Sequence, residues 1–194
     1  MRVGMLYLIT GGSGSGKSEY AESVAVRLHK DRFPGGRLFY VAAMYPSDEE
    51  CERRIARHRR MRLGKGFETV ECFCGLERLL GQETGQDVFL IECLSNLLAN
   101  ERYRPEGGIH GTGEEAFAQA QERIFRPILQ LSQRAGAVVT VTNEIFSDLP
   151  IQDEETELYC RLLGRLNVLL GAQAHAAAEA VCGRAVCLKG EMPC

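Results

Sequence analysis

Leu6-Tyr7-Leu8-Ile9-Thr10-Gly11-Gly12-Ser13-Gly14-Ser15-Gly16-Lys17-Ser18 is a short apolar run that passes through a glycine-rich turn into a lysine and a serine. Residues 11–18 spell GxxxxGK[ST], and each part of that pattern has a mechanical reason. Glycines let the backbone curl until successive N–H groups point inward, which makes a nest for phosphate oxygens. A helix beginning at Lys17 adds the positive end of its dipole. Lys17 then reaches the outer phosphates of a nucleoside triphosphate, and the Ser18 hydroxyl helps hold Mg²⁺. The competing reading, a Gly/Ser turn that binds nothing, is disfavoured because the motif lies directly between a strand-like and a helix-like stretch.

Outward from this loop, Arg37–Ala43, Asp87–Cys93 and Ala137–Asn143 repeat the near-continuous apolar runs of strands buried on both faces, and Ala185–Lys189 is a plausible last strand. Helices are expected over Lys17–Lys30, Ser47–Arg62, Leu94–Glu101, Glu114–Ala135 and Glu154–Glu179. The segments Asp31–Gly36 and Tyr103–Gly113, rich in Gly with Pro34 and Pro105, are expected as loops, the second a mobile one. Alternating strands and helices predict an α/β, P-loop NTPase-like fold, a mostly parallel sheet flanked by helices, in one domain over 1–194.

Composition excludes more than it selects. The net charge of −3 supplies no overall attraction to nucleic acid or an anionic membrane. No apolar run reaches the roughly 18–20 residues of a membrane span, and the first residues lack a secretory h-region, so a soluble, cytoplasmic chain is expected. Eight cysteines without a CxxC pair read as reduced, small apolar side chains, with Cys72 and Cys74 as a minor candidate thiol pair.

Two further features bear on chemistry. The strand Asp87–Ile91 ends in Glu92, the place for a carboxylate that completes a Mg²⁺ shell, or alternatively a surface acid capping the next helix. Arg53-Arg54-Ile55-Ala56-Arg57-His58-Arg59-Arg60-Met61-Arg62 holds six arginines. It is a solvated basic helix face, an RNA-binding patch without aromatic platforms, or a site that grips phosphates through guanidinium forks. Surrounding positive charge disfavours the imidazolium of His58, and a neutral imidazole is what a nucleophilic histidine needs.

The P-loop at Thr10–Ser18, RRIxxHR at Arg53–Arg59, the acidic segment Glu68–Glu71, Ile91-Glu92-Cys93 and Val141-Thr142-Asn143-Glu144 together resemble the bifunctional adenosylcobinamide kinase/adenosylcobinamide-phosphate guanylyltransferase family of cobalamin assembly. The order and spacing match from Leu6 to Lys189. The resemblance implies that His58 attacks the α-phosphate of GTP and that the resulting His58–GMP passes GMP to adenosylcobinamide phosphate. It also implies phosphorylation of adenosylcobinamide, from ATP or GTP. Catalytic roles then fall to His58 and Lys17. Nucleotide contacts fall to Gly11, Gly12, Ser13, Gly14, Ser15, Gly16, Lys17, Ser18, Ala42, Ala43, Met44, Arg59, Arg60, Met61, Arg62, Glu71 and Glu92, with Ser18 and Glu92 at the metal. The family resemblance also implies a homotrimer. The chain departs from the family pattern at Leu63 and Phe67, at Ala43–Met44, over Ile145–Pro150, and at Arg161-Leu162, where an Arg-Asp pair is usual. A nucleotide-binding paralogue with one or both activities lost, or a simple P-loop small-molecule kinase, are the alternatives.

Overall fold

The computed structural model describes residues 4–104, 106–147 and 153–193. Pro105 and Asp148–Pro150, which the sequence reading placed in loop and divergent segments, lie outside the described residues. Strands β1 (Met5–Thr10), β2 (Leu38–Ala42), β3 (Glu68–Glu71), β4 (Val88–Glu92), β5 (Ala137–Val141), β6 (Ala176–Val181) and β7 (Arg184–Lys189) form one sheet in the order β3-β2-β4-β5-β1-β6-β7. All neighbours are parallel except β6–β7, an antiparallel hairpin at one edge.

The helices are α1 (Lys17–Arg32), α2 (Glu49–Arg62), α3 (Leu94–Arg102), α4 (Gly113–Ala120), α5 (Arg126–Arg134) and α6 (Glu154–Gln173). Side chains of the central strands alternate between two cores. Tyr7, Ile9, Leu90 and Val139 pack beneath α1, whereas Leu6, Phe89, Ile91 and Val138 meet α3 to α6 on the opposite face. Burial on both faces is why these strands read as unbroken apolar runs rather than alternating ones.

The structure corrects the sequence reading at three elements. The helix expected over Glu154–Glu179 ends at Gln173, and Ala176–Val181 is a strand inserted between β1 and β7. Its alanines favour helix intrinsically, but pairing with β1 on one side and β7 on the other overrides propensity. The strand β3 was not foreseen, because its four residues are mostly exposed and carry two acids. The helix expected over Glu114–Ala135 is divided by a π-turn at Gln121–Phe125. Pro127 lies just beyond it, and the wider turn accommodates a residue that has no N–H and whose ring crowds the preceding turn.

The cysteine expectation holds for Cys72 and Cys93, which are buried, but not for Cys182 and Cys187, which are exposed at the β6–β7 hairpin. Cys72 and Cys74 are both free thiols.

One polar knot fastens the amino end of the sheet. The Asp87 carboxylate is buried and accepts from the Arg37 N–H at 2.8 Å, the Thr84 N–H at 2.8 Å and Arg37 Nη2 at 2.7 Å. Burial pushes this carboxyl up, but those donors outweigh burial and hold it below the usual range. A depressed carboxyl contributes stability that is present above the unfolded value of about 4 and is lost as pH falls through the folded one. Asp87→Ala is therefore expected to lower stability by about 1.5–3 kcal/mol at neutral pH and to flatten its decline in acid. Urea unfolding at a series of pH values checks this; parallel stability–pH curves for the two proteins would contradict it.

Candidate active site

The carboxyl ends of the strands carry the site. In register across the sheet, Ala42 of β2 sits beside Glu71 of β3 on one side and Glu92 of β4 on the other. The glycine-rich loop follows β1, two strands away from β4. Gly16, immediately before α1, has φ +91°, a conformation that side chains other than glycine rarely adopt. At Gly11, a Cβ would fall 2.6 Å from the Ala180 carbonyl oxygen, so the loop can pass close to β6 only with glycine there.

The loop, β2, β4 and α2 enclose a cavity of about 700 Å³. Helix α2 begins at Asp48, whose carboxylate accepts from the Cys51 N–H at 2.8 Å, with Glu49, Glu50 and Glu52 in its first turn. Of its residues only Arg62 is fully buried, so α2 stands against the cavity rather than in the core. Its helical spacing turns Ile55, His58 and Arg62 towards the cavity. Arg62 stacks on the Tyr40 ring with 3.4 Å between Cζ and the ring centroid, and Tyr40 is thus the aromatic partner that the arginine run itself did not reveal.

At the cavity floor Ser18 Oγ donates to Glu92 Oε1, and His58 Nδ1 lies 3.6 Å from the same oxygen. Glu92 is buried rather than a surface cap, and α3 begins at Cys93 with no side-chain cap. Burial raises the Glu92 carboxyl against the lowering influence of Ser18, Arg62 and Lys17. Its Oε2 has no hydrogen-bond partner, and neither has His58 Nδ1. Lys17 Nζ donates to the Gly12 carbonyl at 2.9 Å, folded back over its own loop, with its ammonium disfavoured chiefly by burial.

The other expected site residues divide. Ser13–Ser18, Ala42, Met44, His58, Arg59, Met61, Arg62, Glu71 and Glu92 line the cavity. Gly11, Gly12, Ala43 and Arg60 do not; Ala43 is fully buried and Arg60 points to solvent. Glu71 is half-exposed and pairs with Arg59 at 3.3 Å. The sequence reading missed Glu22, which α1 places under the cavity four residues beyond Ser18, and Lys65, whose Nζ bonds Glu22 Oε2 at 2.6 Å. An acid one helical turn after the motif's serine, on the same face, was the available signal for Glu22.

His58 is poised as a neutral ring. Burial lowers its pKa first; Glu22 opposes this, and Arg62, Arg54 and Arg57 reinforce it. The lone pair thus stays free as pH falls through the ordinary histidine range near 6.5. Titration of the His58 ring resonance by NMR is expected to give a midpoint below that value, and a midpoint at or above it would contradict this electrostatic account.

Residues 7–188 match the family model described as cobinamide kinase / cobinamide phosphate guanyltransferase. The chain belongs to this family. It is 29% identical over 190 residues to the bifunctional adenosylcobalamin biosynthesis protein CobU of Escherichia coli strain K12, covering 95% of this chain and all of that protein. To the CobU protein of Salmonella typhimurium strain LT2 it is 29% identical over 191 residues, again covering 95% of this chain and all of the relative. Among solved structures, the ATPase domain of a helicase superposes with a TM-score of 0.50 at 8% identity, over 92% of this chain and 70% of that one. That likeness concerns the fold alone, and it agrees with the P-loop NTPase-like architecture expected from the sequence. Relative to the cobinamide kinase / guanyltransferase pattern, the position expected to hold an aspartate after Arg161 is Leu162, buried in the apolar core. The family-spaced Asn167 accepts a hydrogen bond from Thr142 Oγ1 at 2.8 Å.

Among the described residues, no helix is long and apolar enough to cross a membrane.

Proposed function

We propose that the chain is a cobalamin-assembly enzyme that phosphorylates adenosylcobinamide and transfers GMP from GTP to adenosylcobinamide phosphate through His58. The observation that carries this reading is the convergence of His58 Nδ1 and Ser18 Oγ on one Glu92 oxygen, at the floor of the cavity that the phosphate loop borders. A nucleophile and a phosphate-binding loop therefore share one chamber.

In the first half-reaction a ring nitrogen of neutral His58 forms a bond to the α-phosphorus, and the bond to the pyrophosphate leaving group breaks. The imidazole gains positive charge, which the neighbouring carboxylates of Glu92 and Glu22 stabilise. Arg62 and Arg59 face the same cavity and are suited to the departing negative charge. In the second half-reaction a phosphate oxygen of adenosylcobinamide phosphate attacks phosphorus, the N–P bond breaks, and His58 returns to neutrality. For the kinase step, Lys17 swings from the Gly12 carbonyl to the outer phosphates of ATP or GTP.

The unpartnered Glu92 Oε2 and the Ser18 hydroxyl beside it fit a hard, oxygen-seeking cation. Ser18 and Glu92 would hold Mg²⁺, which supplies neutralisation of phosphate charge when bound. The working unit in this reading is a homotrimer, as the family resemblance implies. The outer strand β7, with Val186 and Leu188 exposed, leaves apolar surface suited to contact between copies.

The experiment is a pair of labels. Incubation with GTP labelled at the α-phosphate is expected to leave label on denatured protein, and the γ-labelled nucleotide to leave none. Retention of γ-label, or of neither, would refute the covalent route. The buried Leu162 favours one second reading, a relative in which the kinase step is lost, and assay of phosphoryl transfer to adenosylcobinamide separates the two.

A further inference from the structure

Glu22, His58 and Glu92 come from three separate elements, α1, α2 and β4, and each offers one ligand atom such that the three atoms lie within 4.8 Å of one another. Glu22 is 0% and Glu92 8% exposed. Glu22 Oε1, His58 Nδ1 and Glu92 Oε2 are all buried without a hydrogen-bond partner. Three orphaned acceptors in one buried place are costly, since such groups are almost always satisfied.

The cations nearby leave these atoms unsatisfied. Lys65 bonds the other oxygen of Glu22, Arg62 is stacked on Tyr40, and Lys17 is turned to Gly12.

We infer that Glu22, His58 and Glu92 form a binding site for one first-row divalent cation of the Zn²⁺ class in the nucleotide-free protein. One imidazole nitrogen and two carboxylates are a donor set that suits Zn²⁺ or Co²⁺ and does not suit Mg²⁺, which seeks oxygen alone. With bonds near 2.0–2.1 Å, tetrahedral ligand atoms stand roughly 3.3 Å apart. The 3.6 Å between His58 Nδ1 and Glu92 Oε1 is already close to that separation, and a side-chain adjustment of Glu22 completes a three-ligand site with water as the fourth. The site differs from the Ser18–Glu92 pair assigned to Mg²⁺ in requiring the histidine and Glu22. A cation held there occupies the lone pair that His58 would use as a nucleophile, so the two uses of the ring exclude each other. The site stands whether or not His58 accepts GMP.

Co²⁺ is the probe, added to nucleotide-free protein in the absence of Mg²⁺ and followed by its visible d–d absorption. One equivalent per chain is expected to bind, without the thiolate-to-cobalt charge-transfer band that cysteine ligands would produce. Affinity is expected to fall at least about tenfold in Glu22→Gln and in His58→Ala, and to be unchanged in His29→Asn, whose ring contacts the Gly36 carbonyl far along α1. Thermal melts establish that each variant is folded. If buried Glu22→Gln does not fold, His58→Ala, on the exposed helix α2, decides. Absence of Co²⁺ absorption, a thiolate band carrying the whole signal, or undiminished affinity in His58→Ala would overturn the site.

Discussion

His58→Ala is expected to reduce covalent GMP incorporation and formation of adenosyl-GDP-cobinamide by at least about 10³-fold. Phosphorylation of adenosylcobinamide should persist within about tenfold. The asymmetry follows from geometry. The imidazole is the group with a free lone pair facing the phosphate loop, whereas kinase chemistry needs positioning and charge neutralisation but no protein nucleophile. His58 lies on α2, which buries only Arg62, so its truncation removes little core contact and the variant should melt close to the parent. Assaying both activities on one preparation separates loss of the nucleophile from loss of the fold. Guanylylation surviving at more than a few per cent would exclude His58 as the covalent residue.

Lys17→Ala is expected to depress both activities together, by about 10²–10³-fold. Either reaction places negative charge on phosphate oxygens above the loop, and Lys17 is the loop's cation. Burial disfavours its ammonium in the nucleotide-free protein, and its one described bond is to the Gly12 carbonyl. Removing it therefore costs the empty fold little, and the melting temperature without nucleotide should be unchanged or higher. The rise in melting temperature on adding GTP, by contrast, should shrink. A variant that keeps one activity near the parental level would mean that the two reactions do not share the phosphate loop.

Sequence reading reached the fold because its informative pieces were local. The loop 11–18 and the apolar strands on either side of it need no tertiary knowledge, and their order alone indicates helices on both faces of a parallel sheet. It failed at Ala176–Val181 because alanine prefers helix until neighbouring strands claim the backbone. It failed at Glu68–Glu71 because a short edge strand with exposed side chains carries no buried pattern.

The site divided along the same line. Glu92 was legible as an acid ending an apolar run. His58 among its arginines was open to several readings until the resemblance singled it out. Tyr40, Lys65 and Glu22 were illegible as site residues, since Tyr40 reads as core strand and Glu22 as one more helix acid. Only the packing of α2 against β2 and α1 gives Arg62 its aromatic bed and brings Glu22 beneath His58.

Mass spectrometry of the protein after incubation with GTP and Mg²⁺, followed by peptide mapping under conditions that preserve an N–P bond, tests the central claim most directly. The account predicts one added GMP, located on His58. Intact, nucleotide-bound protein without the adduct, or an adduct mapped to another residue, would contradict it.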